Sequence, residues 1–247
     1  MSNTPLHKVN DQVTEKSQKS IGVPDYWKTS VFYQIYPRSF KESDGDGVGD
    51  VNGITSKLEH PVDSGINAFW ISRIYSSPMV DFGYDISNFT DIDPIFGILD
   101  DFGKLVLRVK QLDLKVIIDF VSNHSFDRHD SFRDDPSDWE WNEERGQYYF
   151  YQFIKAQPDL NYRNILLGEK MEDVFAFWLN RDIDGFRIDA INGLIEDEEF
   201  ENESWSNNSE FQKAITTFSI IFSSRISLRL NMFCGVGETL LTNVVHK

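Results

Sequence analysis

The chain has 247 residues, 40% of them hydrophobic and 14% aromatic, with 40 acidic against 24 basic residues and a formal charge of −16. Such a composition belongs to a folded globular protein, and its negative excess excludes nucleic acid and anionic lipid as partners while suiting a neutral substrate or a cation. The single cysteine, Cys234, excludes an internal disulfide, and no apolar run is long enough to span a bilayer.

Residues 1–25 carry Lys8, Lys16 and Lys19 but no aromatic side chain and no apolar h-region, so they read as a flexible tail without a signal or anchor, and the compartment stays open. Val31–Tyr36 is β-branched and aromatic, which predicts a first strand. A glycine-rich acidic loop then leads to a short helical segment at Ile54–Leu58. Ala68–Ser72 reads as a second strand. Phe102, Leu105, Val106, Val109 and Leu112 share one helical face behind the acidic start Asp100 and Asp101, and a third strand follows at Lys115–Phe120. Met171, Val174, Phe175 and Trp178 repeat at helical spacing directly before a fourth strand, Gly185–Ala190. Ile215–Leu230 reads as a helix, and Met232–Val236 as a fifth strand running up to Glu238.

Strands alternating with helices imply a parallel sheet, either a barrel or a doubly wound sheet. No G-x-G-x-x-G turn follows the first strand, and Asp119, Asp189 and Glu238 all fall at the carboxyl ends of strands, where a (β/α)8 TIM barrel places its chemistry. The barrel is favoured, with strands 1–5 in this chain. Residues 26–120 are its first part, 121–170 a shortened excursion after strand three, and 171–247 its continuation.

In the acidic loop Glu42, Asp44, Asp46 and Asp50 are spaced so that, with the Val48 carbonyl and Gly47, they follow the early positions of a calcium-binding loop. Gly53 stands where an EF-hand would have its bidentate glutamate. The alternatives are a small structural calcium site and a solvated acidic turn. In Gly185–Ala190 the period of two puts Arg187 and Asp189 on one face and Phe186 and Ile188 on the other, so the cation and the carboxylate point together to the rim. That pattern fits either an ordinary buried ion pair or a nucleophile held by its partner. Asp189 and Glu238, from strands four and five, would make a glycosidase pair if their carboxyl groups sit about 5 to 5.5 Å apart, as retention of configuration requires.

These residues carry a resemblance. Val31–Phe40, the Asp44–Asp50 loop, Asp81–Ile86, Asp119–His124, Gln157–Asn161 and Gly185–Ala190 resemble, in order, segments of the maltase and oligo-1,6-glucosidase branch of the α-amylase superfamily, over about Trp27 to Thr239. The resemblance implies a retaining α-glucosidase of carbohydrate metabolism that cleaves short oligosaccharides such as maltose or sucrose. It implies Asp189 as nucleophile, Glu238 as general acid/base and Arg187 as the residue that orients the nucleophile. Asp81, Tyr84, Asp119 and His124 match residues that hold the non-reducing glucose, and the acidic loop matches a calcium loop.

Arg73 and Ser122 stand where the family usually has proline, and Glu42 where it has aspartate. The family's third catalytic carboxylate, strands six to eight and β-domain have no counterpart in these 247 residues, so the chain is expected to be weakly active or inactive without a partner chain. The resemblance also implies an alternative, a non-catalytic interaction subunit like the ectodomain of amino acid transporter heavy chains. Its animal members are often secreted or membrane-anchored.

Overall fold

The computed structural model describes residues 26–125, 139–190, 194, 230–235 and 238–243, with residues 27, 28, 230–235 and 238–243 described by backbone alone. The predicted tail and all but the last residue of the predicted helix Ile215–Leu230 lie outside the described residues. A short α1 (Tyr26–Thr29) leads into β1 (Phe32–Ile35), after which α2 (Pro37–Phe40), α3 (Val51–Ser56) and α4 (Glu59–Asp63) come before β2 (Ala68–Ile71). The hairpin strands β3 (Tyr75–Ser76) and β4 (Asn88–Ile92) and the helix α5 (Leu99–Gln111) precede β5 (Lys115–Val121). A second hairpin, β6 (Trp139–Asn142) and β7 (Gln147–Phe150), and α6 (Ile165–Leu179) precede β8 (Gly185–Asp189), and β9 (Leu230–Gly235) and β10 (Glu238–Asn243) complete the described elements.

The main sheet has six strands in the order β1-β2-β5-β8-β10-β9. The first four are parallel, with Phe32 beside Ala68, Trp70 beside Ile117, and Asp119 beside Arg187. All four therefore end at the same rim. Side chains of one sheet face, among them Ile35, Phe69, Ile71, Val116, Ile118, Phe120, Phe186 and Ile188, are buried in one cluster with α3, α5 and α6. On the other face Ile117 is buried and packs against Tyr26, Phe32 and Trp70. Aromatic contacts dominate the first cluster: Phe120 lies 4.3 Å from Phe175, and Trp178 meets Phe102 at 5.2 Å and Tyr75 at 5.6 Å between ring centroids. Such pairs add roughly 0.5–1.5 kcal/mol each beyond area burial.

Local chemistry sets the helix starts. Asp50 caps α3 by accepting the Gly53 N–H at 2.7 Å, which starts the helix at Val51, three residues before the predicted Ile54. In α5 the Ile98 N–H donates to Asp101, and Arg108 and Lys110 occupy the last turn, as the helix dipole favours. Asn164 caps α6 at the Leu166 N–H, so that helix starts at Ile165, inside the segment assigned to the excursion.

One prediction is corrected more deeply. The fifth strand was expected to be parallel and to lie beside the fourth. The structure places β10 between them, antiparallel to both, so β9, which holds the predicted fifth strand, runs in the expected direction, parallel to β8, but is not its neighbour. Only two residues, Val236 and Gly237, separate β9 from β10 in sequence, the length of a tight hairpin connection, whereas a parallel neighbour needs a crossover of a dozen or more residues.

Candidate active site

The site is assembled at the carboxyl rim of the parallel strands. Asp119, near the end of β5, is 1% exposed and accepts from Arg187 Nη1 at 2.8 Å. Arg187 Nη2 lies 3.1 Å from Asp189 Oδ1, so a single guanidinium bridges two carboxylates on adjacent strands. The two are not equivalent. The Asp119 side chain is 1% accessible and that of Asp189 is 27%, which leaves Asp189 open to a substrate. Burial pushes the Asp119 carboxyl up to about 6, against the pull of Arg187. Its Oδ2 is buried and has no hydrogen-bond partner among the described residues, an acceptor awaiting a donor.

Two tyrosine hydroxyls fix the rim from below. Tyr75 donates to the Asp119 carbonyl and Tyr162 to the Ser122 carbonyl, both at 2.6 Å, and burial holds both phenols well above their ordinary value. Just past β5, His124 is 5% exposed, with Nδ1 3.1 Å from Asn123 Oδ1 and Nε2 3.2 Å from the Tyr84 carbonyl. Burial lowers it to about 4, so it is neutral at physiological pH.

Asp81 and Tyr84 come from the β3–β4 hairpin. Its turn is held by Asp85, fully buried, which accepts from the Ser77 hydroxyl and from the Val80 and Asp81 N–H groups. Asp81 Oδ2 accepts from Gln157 Nε2 at 2.8 Å, and the His124 bridge to Asp159 brings that later segment to the same rim. The fold thus gathers Asp81, Tyr84, Asp119, His124, Arg187 and Asp189. Gln157, Asp85 and Tyr75 support them and were given no role from the sequence. Buried donors and acceptors of this kind are found by tracing contacts across 8 to 76 residues, which no local pattern records.

The Glu238 backbone stands opposite Gly235 of β9. The next pair along, Thr239 with Ile188, sets Glu238 beside Asp189 when the register is carried one step. Glu238 therefore reaches the rim at the start of an antiparallel strand, where the sequence reading had it at the end of a parallel one.

The acidic loop satisfies its own backbone. Glu42 accepts the Gly47 N–H at 2.7 Å, Asp44 that of Asp46 at 3.1 Å, Asp46 that of Val48 at 2.7 Å, and Asp50 those of Ser43 and Gly53 at 2.7 Å each. Among the described residues no three histidine, cysteine, aspartate or glutamate side chains converge on a position that would hold a metal ion. In this arrangement the loop does not present a ready donor set.

Comparison with known proteins adds independent findings. The α-amylase catalytic domain matches residues 34–138 and 132–220. Maltase 1 of Drosophila virilis is 44% identical over 237 residues, covering 82% of this chain and 38% of that protein. The amino acid transporter heavy chain SLC3A1 of Rattus norvegicus is 37% identical over 242 residues, covering 84% of this chain and 35% of that one. The crystal structure of the α-glucosyl transfer enzyme XgtA superposes with a TM-score of 0.69 at 38% identity, over 74% of this chain and 40% of that one. The chain thus spans 35–40% of the length of these proteins.

Proposed function

The chain belongs to the α-amylase family, its parallel strands being part of a (β/α)8 barrel, and from that premise we propose that it forms part of a retaining α-glucosidase acting on short oligosaccharides such as maltose or sucrose. The observation that carries this reading is the Arg187 bridge between a buried carboxylate and an accessible one at the strand ends.

In the proposed reaction the Asp189 carboxylate attacks the anomeric carbon while Glu238 gives a proton to the leaving oxygen. Water, deprotonated by Glu238, then displaces Asp189, and the configuration is retained. Arg187 holds Asp189 in line. Asp119 accepts a sugar hydroxyl at its vacant Oδ2, neutral His124 donates or accepts beside it, and Asp81 and Tyr84 close over the sugar. The activity is proposed for the whole protein, since the chain spans 35–40% of the length of its relatives.

Glucose released from maltose, measured for the whole protein and for its Asp189→Asn variant, tests the reading. A loss of at least about a thousandfold in the variant is expected, the usual scale for removing a covalent nucleophile. Normal turnover by Asp189→Asn would remove the assignment.

A structural calcium ion at Glu42, Asp44, Asp46, the Val48 carbonyl and Asp50 is proposed on their spacing alone. To bind, the carboxylates must turn from the backbone N–H groups they now accept. Calcium is expected to raise the melting temperature by mass action, and an unchanged value with a chelator would dismiss the site. The interaction-subunit alternative is supported by the likeness to the transporter heavy chain, and the same maltose assay separates the two readings. No helix among the described residues is long and apolar enough to cross a membrane.

A further inference from the structure

Arg73 lies just past β2, at the same rim as Asp119 and Asp189, and is 7% exposed. A buried arginine ordinarily pairs with a carboxylate. Here no carboxylate among the described residues forms an ion pair with it, although it acts at longer range on Asp119, and its hydrogen bond and ring contacts among those residues are with a backbone carbonyl and two tyrosines. The guanidinium carbon sits 3.5 Å from the Tyr84 ring centroid and 5.4 Å from that of Tyr36. Its Nε donates to the Phe82 carbonyl at 2.7 Å.

The turn beneath it is strained. Met79 and Phe82 have φ of 62° and 49°, in the left-handed region that non-glycine residues seldom occupy, and such turns persist when their surroundings over-determine them. Asp85 does so from one side through three hydrogen bonds. Arg73 does so from the other. Gly83 is shaped to receive it: its φ is +99°, and a Cβ there would meet Arg73 Cγ at 3.1 Å and Nε at 3.3 Å. The ring stack, the carbonyl bond and the glycine seat converge on one side chain and on the one turn that carries Asp81 and Tyr84.

We propose that Arg73 is a positioning residue of the site, its guanidinium laid on Tyr84 and tied to the Phe82 carbonyl so as to hold the Asp81–Tyr84 turn in the orientation that receives a sugar. The proposal rests on the reading of the site given above. Lysine cannot substitute, because it lacks both the planar face and the Nε–H that make the two contacts.

The test is the affinity of the full chain for D-glucose, by calorimetry, in Arg73→Lys, Arg73→Met, Tyr84→Ala and the double variant Arg73→Met/Tyr84→Ala, with melting temperatures alongside. Both single Arg73 variants should weaken glucose binding by about tenfold or more, as misplacing a binding group does. Because Arg73 acts through Tyr84, the double variant should bind little worse than Tyr84→Ala alone. Full additivity of the two losses, or an unchanged affinity with a lowered melting temperature, overturns the proposal and leaves the site reading intact. Absence of glucose binding by the wild-type chain overturns the site reading, and the proposal with it.

Discussion

On one face of the parallel sheet Phe69, Ile71, Ile118, Phe120, Phe186 and Ile188 are fully buried beneath the helices, while on the other the buried Ala68 and Ile117 share the surface with Phe32, Trp70, Arg187, Asp119 and Asp189. Successive residues of the same strands face these two environments, because the side-chain period of a strand is two. The first face is closed by apolar burial and contributes stability. The second is polar where the strands end, contributes little hydrophobic energy, and holds a guanidinium between two carboxylates. Stability and chemistry are thus divided between alternate positions of β5 and β8, and substitutions on the two faces should have different consequences.

The largest effect is expected on the closed face. Trp178 is fully buried, donates its indole N–H to the Phe89 carbonyl at 2.7 Å and contacts Tyr75, Phe102 and Phe177. Trp178→Ala should lower unfolding stability by about 3–5 kcal/mol, read from urea denaturation. A loss below about 1 kcal/mol would erase the distinction between the faces.

Next come the titrating groups of the open face. Asp119 has its pKa raised from 3.8 to about 6, so it contributes stability below about pH 4 that is lost as pH rises through 6. His124 has its pKa lowered from 6.5 to about 4, so its contribution is present above about pH 6.5 and is lost as pH falls through 4. Between pH 4 and 6 the two slopes oppose, and the wild-type curve should be nearly flat there. Asp119→Asn should unmask stability that rises with pH, and His124→Gln stability that falls, each by roughly 3 kcal/mol at most, since one pKa unit is worth about 1.4 kcal/mol. Parallel curves for the two variants would show that the site is not linked to folding in this way.

The smallest effect is expected at Trp70, half-buried on the open face, whose indole nitrogen is buried without a hydrogen-bond partner among the described residues. Trp70→Phe removes that donor and keeps an aromatic ring against Ile117, so the change in stability should stay within about 1 kcal/mol of zero. A large loss would show that the open face carries more packing than its exposure implies.

The first four parallel strands and the helices α5 and α6 were legible because period two and period 3.6 are local properties of the chain. Gly185–Ala190 could be divided into an apolar and a polar face before any contact was known, and Asp119, Arg187 and Asp189 do meet as that division requires. The strand β10, which runs antiparallel between β8 and β9, was not legible. What lies beside β8 is decided by pairing across the sheet, so nothing local in Met232–Val236 shows that another strand comes between it and the fourth.

The role of Arg73 was hidden for a related reason. In sequence it is marked only as a basic residue where the family usually has proline, and its meaning arises from Tyr84, Phe82 and Gly83, which reach it through a turn. By itself, then, the sequence determined which residues face the core and which face the rim, since alternation along a strand is fixed by backbone geometry. The tertiary structure alone decided which of two carboxylates is buried and which is open, which turn is braced and by what, and how Glu238 comes beside Asp189. Those depend on groups far apart in the chain, whose burial and pairing exist only once the sheet has closed around them.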